Sequence, residues 1–320
     1  MLLARLVAGL VSLCLIAATA GMAIGQSYPN KSIRIVTAPA GGNSDFTARL
    51  IASGISGALG QPVIVDNRSG GYIPVEVVLK APPDGYSMLL DGASFWVQPL
   101  LEPMPYDVMR DFSPITTVTG AIFLLAVHPS LPVNSVKELI ALAKARPGVL
   151  NYGSGAAGST NHLAPELFKS MAGVNILRIP YKGAGPAVIG LLANEVQLVL
   201  FDAGVLAPHV KSGKLRALAV TSAEPSALAP GLPTMAASGV PGYEVVGLTG
   251  LFVSGKPPAA IINRLNQEIV RLLNRAEVKQ TFFNRGAEVV AGSPEQFAGK
   301  IKSDIAKWSK LIRDAGIKAD

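Results

Sequence analysis

Short apolar runs typical of buried strands alternate along this chain with longer runs of helical periodicity, and three of the junctions are rich in glycine. The first strand-like run, Ile33–Thr37, is followed by a Gly/Pro-rich loop at residues 38–44 and then by a helical pattern over residues 45–59. Strands that alternate with helices favour an α/β fold with parallel sheets. Ligands bind beyond the carboxyl ends of strands in such folds, so the site is expected in these loops.

Two further junctions repeat the pattern. Residues 67–73 follow a strand-like run at 62–66, and residues 153–160 follow one at 148–152. A helix that begins after such a loop presents unpaired backbone N–H groups and the positive end of its dipole, which together bind anions. A tight turn explains any one loop equally well. Three in one chain indicate a site for an anionic small molecule.

The order of the elements also predicts two lobes. A chain of 320 residues is long enough for about two domains at roughly 150 residues each. We predict one lobe from residues 26–125 together with 245–320, and a second from residues 126–244. Strands at 122–128 and 245–253 would then cross between the lobes and leave a cleft between them.

The first 25 residues have the pattern of a secretory signal peptide. One positive charge, Arg5, precedes an apolar run at residues 6–20, and small residues follow as far as Gly25. The run is shorter than the roughly 20 residues that a bilayer-spanning helix needs. We predict cleavage after Gly25; cleavage after Ala20 and a retained single-pass anchor are the alternatives.

Charge and composition exclude several classes of function. The chain carries 28 Lys and Arg against 21 Asp and Glu, for a net charge of +7, and a basic protein attracts anions. These residues are dispersed and aromatics make up 6%, so we expect no nucleic-acid partner. The single cysteine, Cys14, lies in the predicted signal peptide, and the three histidines, His128, His162 and His209, lack metal-ligand spacing. We therefore expect no metal site.

The third glycine loop contains a G-x-G-x-x-G pattern, Gly153, Gly155 and Gly158, which also occurs in dinucleotide-binding enzymes. Such a site needs an acidic residue at the end of the next strand, and the strand-like run at 176–180 has none. Ser154 lacks the leading glycine of a G-x-S-x-G nucleophile elbow. We therefore expect a protein that is not an enzyme and needs no cofactor.

Short motifs across nearly all of the chain after residue 25 are shared with a known family. They are AGGNSD at 40–45 with AR at 48–49, LGQPV at 59–63, DNR at 66–68, KAPPDGY at 80–86, RDFSPI at 110–115, NYGS at 151–154, GS at 158–159, HL at 162–163, PYKG at 180–183, FD at 201–202 and GKLRALAVT at 213–221. Together they resemble the periplasmic solute-binding proteins of tripartite tricarboxylate transporters, the TctC or Bug family.

This resemblance implies a two-lobed type II periplasmic-binding-protein fold, with two crossing strands and a cleft that closes on a small organic carboxylate. It implies a periplasmic monomer that delivers its ligand to integral membrane transporter subunits. Two alternatives remain from the sequence alone: a secreted hydrolase on a similar lobed fold, and a sensor partner of a membrane kinase.

The resemblance also implies which residues contact the ligand. In similar proteins two loops of the first lobe hold a carboxylate, largely through backbone amides. The matching positions here are Ala38, Pro39, Ala40, Gly41, Gly42, Asn43, Ser44 and Asp45 in one loop, and Ser69, Gly70, Gly71, Tyr72 and Ile73 in the other. The second lobe would contribute Ser154, Ser159, Thr160, His162, Tyr181 and Asp202.

Several positions depart from the family pattern. Many relatives have Pro-Phe or Pro-Tyr where this chain has Thr37-Ala38, and Tyr72 and Ile73 are bulkier than the usual glycine run. Pro165 stands where relatives have glycine, and proline inside a helix clashes with the preceding turn. We therefore expect the helix after residue 160 to start late or to bend. Asp202 would repel a far carboxylate or pair with an amino group, or would only cap the end of its strand.

Overall fold

The computed structural model describes residues 28–319. The predicted signal peptide lies outside these residues. The strands are β1 (Ile33–Thr37), β2 (Val63–Asn67), β3 (Ser87–Gly92), β4 (Phe112–Val127), β5 (Asn151–Ser154), β6 (Leu177–Pro180), β7 (Leu198–Asp202), β8 (Arg216–Val220), β9 (Val246–Ser254) and β10 (Ala287–Val289).

Helices separate most of these strands. They are α1 (Asn43–Leu59), α2 (Ile73–Leu79), α3 (Ser94–Val97), α4 (Val108–Asp111), α5 (Val136–Ala145), α6 (Thr160–Ala172), α7 (Ala184–Leu192), α8 (Ala203–Lys211), α9 (Ala259–Leu273), α10 (Ala276–Phe283) and α11 (Pro294–Ala315), with a 3₁₀ turn at Gln98–Leu100. Within the described chain, no helix combines the length and the apolar character needed to cross a membrane.

The strands form one path in the order β2-β1-β3-β9-β4-β7-β5-β6, with β8 and β10 also paired to β4. The first sheet holds β1, β2, β3, β9, β10 and most of β4; the second holds β5 to β8 and the end of β4. The neighbours β1–β2, β1–β3, β5–β6 and β5–β7 are parallel. The predicted α/β class with parallel strands is therefore confirmed.

The strand β4 connects the two sheets. Its residues 112–122 pair with β9, and residues 123–127 pair with β7 and β8. The predicted crossing strand at 122–128 was therefore wrong in its start, because ten preceding residues continue the same strand. The chain crosses back before β9, where the N–H of Val245 donates to the carbonyl of Thr221 at 2.9 Å. Two crossings join the halves of the molecule.

An aromatic cluster packs where the first sheet meets the C-terminal helix. The ring of Phe252 on β9 lies 5.0 Å from those of Phe95 and Phe297, and Trp96 lies 6.2 Å from Phe297. This core continues into the second sheet through the buried Tyr152. Helix α11 packs against β4, which belongs to both sheets, and against α6.

Helix α6 differs from the expectation set by Pro165. It begins at Thr160, and the carbonyl of Ser159 accepts from the N–H groups of His162 and Leu163, both at 2.9 Å. The first turn is thus complete before Pro165, where a missing N–H first matters, and the expected late start is wrong. A bend at Pro165 stays a prediction.

Candidate ligand-binding cleft

A cavity of about 330 Å³ lies between the two sheets. Its volume is within the range of small-molecule sites. The lining comes from the start of α1 (Asn43, Ser44, Phe46, Thr47), the end of β3 (Gly92, Ala93, Ser94), β4 (Thr119, Ala121, Phe123), the start of α6 (Ser159, Thr160, Asn161), the end of β7 (Asp202), β9 (Gly247, Leu248, Thr249) and the α10–β10 segment (Phe282, Arg285, Ala287).

The start of α1 forms one side of this cavity. Asn43 and Ser44 are the first two helical residues, and the first N–H groups of a helix have no acceptor inside it. Asp45 holds the preceding loop, because its carboxylate accepts from the N–H of Gly41 at 3.0 Å and pairs with Arg49 at 2.8 Å. Arg49 and that N–H lower the pKa of Asp45 to about 2. Asp45 is therefore ionised at neutral pH, and its carboxylate holds the loop before α1.

The start of α6 lines the cavity from the second sheet. His162 is buried, and its Nδ1 accepts from the N–H of Gly158 at 3.1 Å. The Oδ1 of Asn161 accepts from the N–H of Gly155 at 3.3 Å. Gly158 has φ +75°, and a Cβ there would lie 2.3 Å from a methyl group of Leu101. Gly158 thus allows close packing against Leu101, and His162 holds the loop before α6 through its hydrogen bond with Gly158.

Asp202 lies at the end of β7 and is the N-cap residue of α8. Its side chain makes no capping hydrogen bond with α8, although an acid at a helix start is electrostatically favourable. Burial raises the pKa of the Asp202 carboxyl. The cavity therefore has, at its second-sheet side, an acidic group that protonates more readily than an ordinary aspartate.

The helix α8 and the segment before β10 meet through bare backbone. A Cβ on Gly204 would lie 2.8 Å from the carbonyl oxygen of Arg285, and a Cβ on Gly286 would lie 2.5 Å from the Cα of Gly204. Neither position has room for a side chain. The two sides of the cavity therefore touch at this pair of glycines, named here the Gly204–Gly286 contact.

Five of the residues predicted from the sequence line the cavity: Asn43, Ser44, Ser159, Thr160 and Asp202. The other residues of the first loop, Ala38, Pro39, Ala40, Gly41, Gly42 and Asp45, lie beside it along the chain without lining it. Ligand contact by any of these residues stays a prediction.

Two predicted side chains of the second lobe are engaged elsewhere. Ser154 is fully buried, donates to the carbonyl of Gly155 at 3.0 Å and accepts from the Nε of Arg178 at 2.8 Å. The hydroxyl of Tyr181 donates to Glu195 at 3.1 Å. Neither residue lines the cavity, and His162 does not line it either.

The second glycine loop faces a different cavity. Gly71 and Tyr72 line a space of about 310 Å³ together with Asp91 and Glu102, and Ser94 borders both cavities. Ser69, Gly70 and Ile73 line neither. The second loop therefore neighbours the main cavity without forming its wall.

Sequence reasoning missed much of the lining. Gly92, Ala93 and Ser94 lie at the end of β3 and just after it, and could have been found as a fourth strand end with small residues. Thr119 and Phe123 lie on a strand whose length was underestimated. Phe282 and Arg285 come from a C-terminal segment with no strand–glycine–helix signal, so no pattern in the sequence indicated them.

Apolar rings and small polar groups share the lining of the cavity. Phe46, Phe123, Leu248 and Phe282 supply apolar walls, and the N-terminal ends of helices supply hydrogen-bond donors. Within residues 28–319, no group of three or more His, Cys, Asp or Glu side chains is arranged to hold a metal ion. Two α/β lobes with helix starts on both sides of one cleft define a solute-binding receptor.

The particular family follows from comparison with known proteins. The family model of the tripartite tricarboxylate transporter family receptor, TctC, matches residues 47–317. This chain belongs to that family. It is 36% identical over 310 residues to the protein BugT of Bordetella pertussis. The aligned residues cover 94% of this chain and 95% of BugT.

Solved structures of relatives share the fold. The R. palustris protein Rpa4515 with adipate is 36% identical, with a TM-score of 0.78 over 91% of this chain and 99% of that one. MatC from Rhodopseudomonas palustris with bound malate is 25% identical, with a TM-score of 0.74 over 89% of this chain and all of that one (100%). The expected two-lobed binding-protein fold is confirmed.

Proposed function

We propose that this protein captures a small organic carboxylate between its two lobes and delivers it to the membrane subunits of a tripartite tricarboxylate-type transporter. One observation carries the proposal: the starts of α1 and α6 reach the same cavity from opposite sheets. A carboxylate placed there accepts hydrogen bonds from both lobes at once, which stabilises the closed cleft. Relatives with adipate and with malate support the ligand class.

The same proposal covers location and organisation. The protein acts in the periplasm as a monomer after removal of residues 1–25, with lobes at 26–125 plus 245–320 and at 126–244. The strand pairing supports these boundaries, since β4 passes from the first sheet to the second near residue 122. The protein is a receptor and not an enzyme; in support, Ser154, the nucleophile considered for the hydrolase alternative, is fully buried beside Arg178.

A binding screen tests the proposal. The chain from residue 26 is titrated with mono-, di- and tricarboxylates, and binding is measured by thermal shift and calorimetry. Mass action gives about 2.7 kcal/mol of stabilisation at a hundredfold excess of ligand over its dissociation constant. If the folded protein is stabilised by none of these acids, the proposed function is wrong. Crosslinking of the loaded receptor to membranes that contain the transporter subunits tests the delivery step.

A further inference from the structure

Arg285 contributes a positive charge to a cavity whose other anion-binding groups are neutral amides. We propose that Arg285 is a specificity-determining residue that binds a second carboxylate of the ligand, so that the receptor selects molecules with two anionic ends. This inference rests on the proposed function. It adds a charged side chain to the helix starts on which that function depends.

The ring of Phe46 lies against the guanidinium at the cavity wall. Its Cζ lies 3.7 Å from the centre of the Phe46 ring, and Phe46 packs edge-on against Phe282 at 6.1 Å. All three residues line the cavity. An arginine over a ring gains cation–π stabilisation, while the N–H groups at the edge of its plane stay available to an acceptor. The stacking therefore orients Arg285 and leaves its donors available.

The guanidinium of Arg285 forms no ion pair with a carboxylate of the described residues. Among the ion pairs of residues 28–319, none involves Arg285, whereas Arg34, Arg49 and Arg264 each pair with a carboxylate. Asp202, which also lines the cavity, makes no ion pair with it in this part of the chain. A guanidinium matches a carboxylate in a two-pronged hydrogen bond of roughly twice the usual strength. An incoming anion is the partner that this geometry lacks.

The backbone fixes Arg285 where the two sides of the cavity meet. The N–H of Arg285 donates to the carbonyl of Phe282 at 2.9 Å, and its own carbonyl lies against Gly204 at the Gly204–Gly286 contact. The surrounding wall of Phe46 and Phe282 is apolar. A ligand chain that leaves the helix starts along this wall would end beside the guanidinium of Arg285, which pairs with a carboxylate and not with an apolar group.

Calorimetry with matched ligands tests this role. The probes are straight-chain dicarboxylates from succinate to suberate, each compared with its half-amide, in which one carboxylate is neutral. For the dicarboxylate that binds the wild type most tightly, Arg285→Gln is expected to weaken binding about tenfold or more, while half-amide binding changes less than about twofold. Added salt is expected to weaken dicarboxylate binding more in the wild type than in the variant.

Arg275→Gln is the matched control, since Arg275 is an exposed arginine at the start of α10 that does not line the cavity. It is expected to change neither affinity. If Arg285→Gln weakens dicarboxylate and half-amide equally, or weakens neither, the assignment of a second carboxylate to Arg285 is overturned. The same conclusion follows if the wild type binds monocarboxylates and no dicarboxylate. If the wild type binds no carboxylate at all, the proposed function itself fails.

Discussion

The two glycine loops of the first sheet follow parallel neighbouring strands and both precede helices, yet they face different cavities. Thr37 at the end of β1 pairs with Asn67 at the end of β2, so the loops begin side by side. The loop before α1 is held by Asp45 and leads into the main cavity. The loop before α2 ends in Tyr72, which is 45% exposed and faces the smaller space beside Asp91.

The comparison shows what a strand–glycine–helix pattern contains and what it lacks. The pattern determines that backbone N–H groups are unpaired at the helix start. Which cavity they reach depends on how the helix packs in the folded protein and on the nearby side chains. The large side chain of Tyr72 forms part of the wall of the smaller cavity, where glycine would leave only backbone.

The largest expected effect comes from adding an acid to each loop in turn. Ser44→Glu introduces a carboxylate into the lining of the main cavity, whereas Ser69→Glu introduces one at an exposed position of the second loop that lines neither cavity. Two like charges about 6 Å apart repel by about 3 kcal/mol at an effective dielectric constant of 20, which corresponds to about 100-fold in affinity. We expect that loss for Ser44→Glu in calorimetry with a dicarboxylate.

Ser69→Glu is expected to change the same affinity by less than about threefold, because solvent screens an exposed charge. Equal losses of affinity in the two variants would show that both loops contact the ligand. The conclusion that only the first loop leads into the ligand cavity would then be wrong.

An effect of intermediate size is expected on stability at the second loop's cavity. Burial raises the pKa of Asp91 to about 6, and its Oδ1 accepts from the N–H of Gly92 at 2.7 Å. The folded state thus binds the proton more tightly than the unfolded state, and stability decreases as pH rises toward and through 6. Asp91→Asn is expected to raise the free energy of unfolding by about 1–3 kcal/mol well above pH 6, and very little below about pH 4.

Urea denaturation across this pH range measures the effect, and carboxylate affinity serves as the control. Because Asp91 does not line the main cavity, its replacement is expected to leave that affinity unchanged. A variant that gains no stability at high pH would show that the ionised carboxylate is well solvated.

The smallest expected effect separates two roles of Asp202. Burial raises its pKa, so carboxylate binding is expected to strengthen as pH falls, since protonation removes the repulsion. Asp202→Asn is expected to improve dicarboxylate affinity about three- to tenfold at alkaline pH and to flatten this pH dependence. Calorimetry at several pH values above the pKa of the ligand measures both.

An amino-acid ligand gives the opposite expectation. If Asp202 pairs with an amino group, Asp202→Asn weakens the binding of acidic amino acids while leaving simple dicarboxylates unchanged or tighter. The same titrations with glutamate and glutarate distinguish these outcomes.

Elements with one strong pattern were predictable from the sequence. The apolar run Ile33–Thr37 is β1, and the amphipathic pattern from residue 259 is α9. The first part of β4 was missed because Pro114, Thr116 and Thr117 resemble a loop in composition. That segment is a strand because β9 pairs with it along residues 112–122 and β10 pairs with residues 119–121, and such pairing is not a local property of the sequence.

The candidate site was predictable only where a helix start defines it. The starts of α1 and α6 line the cavity, and both could be located from the glycine-rich turn that precedes each helix. Arg285 and Phe282 come from a segment more than 200 residues distant from Phe46 along the chain. Their meeting depends on how α10 packs against the first sheet, which tertiary structure alone decides.

The Gly204–Gly286 contact has a mechanical consequence. Backbone atoms of the two halves meet at this contact with no flexible side chain between them. The contact therefore prevents the two halves of the molecule from approaching more closely at this point. Ligands that fit within the remaining space therefore share one end point of closure. We expect a bulkier ligand to keep these glycines apart, so that the angle between the halves increases with ligand size.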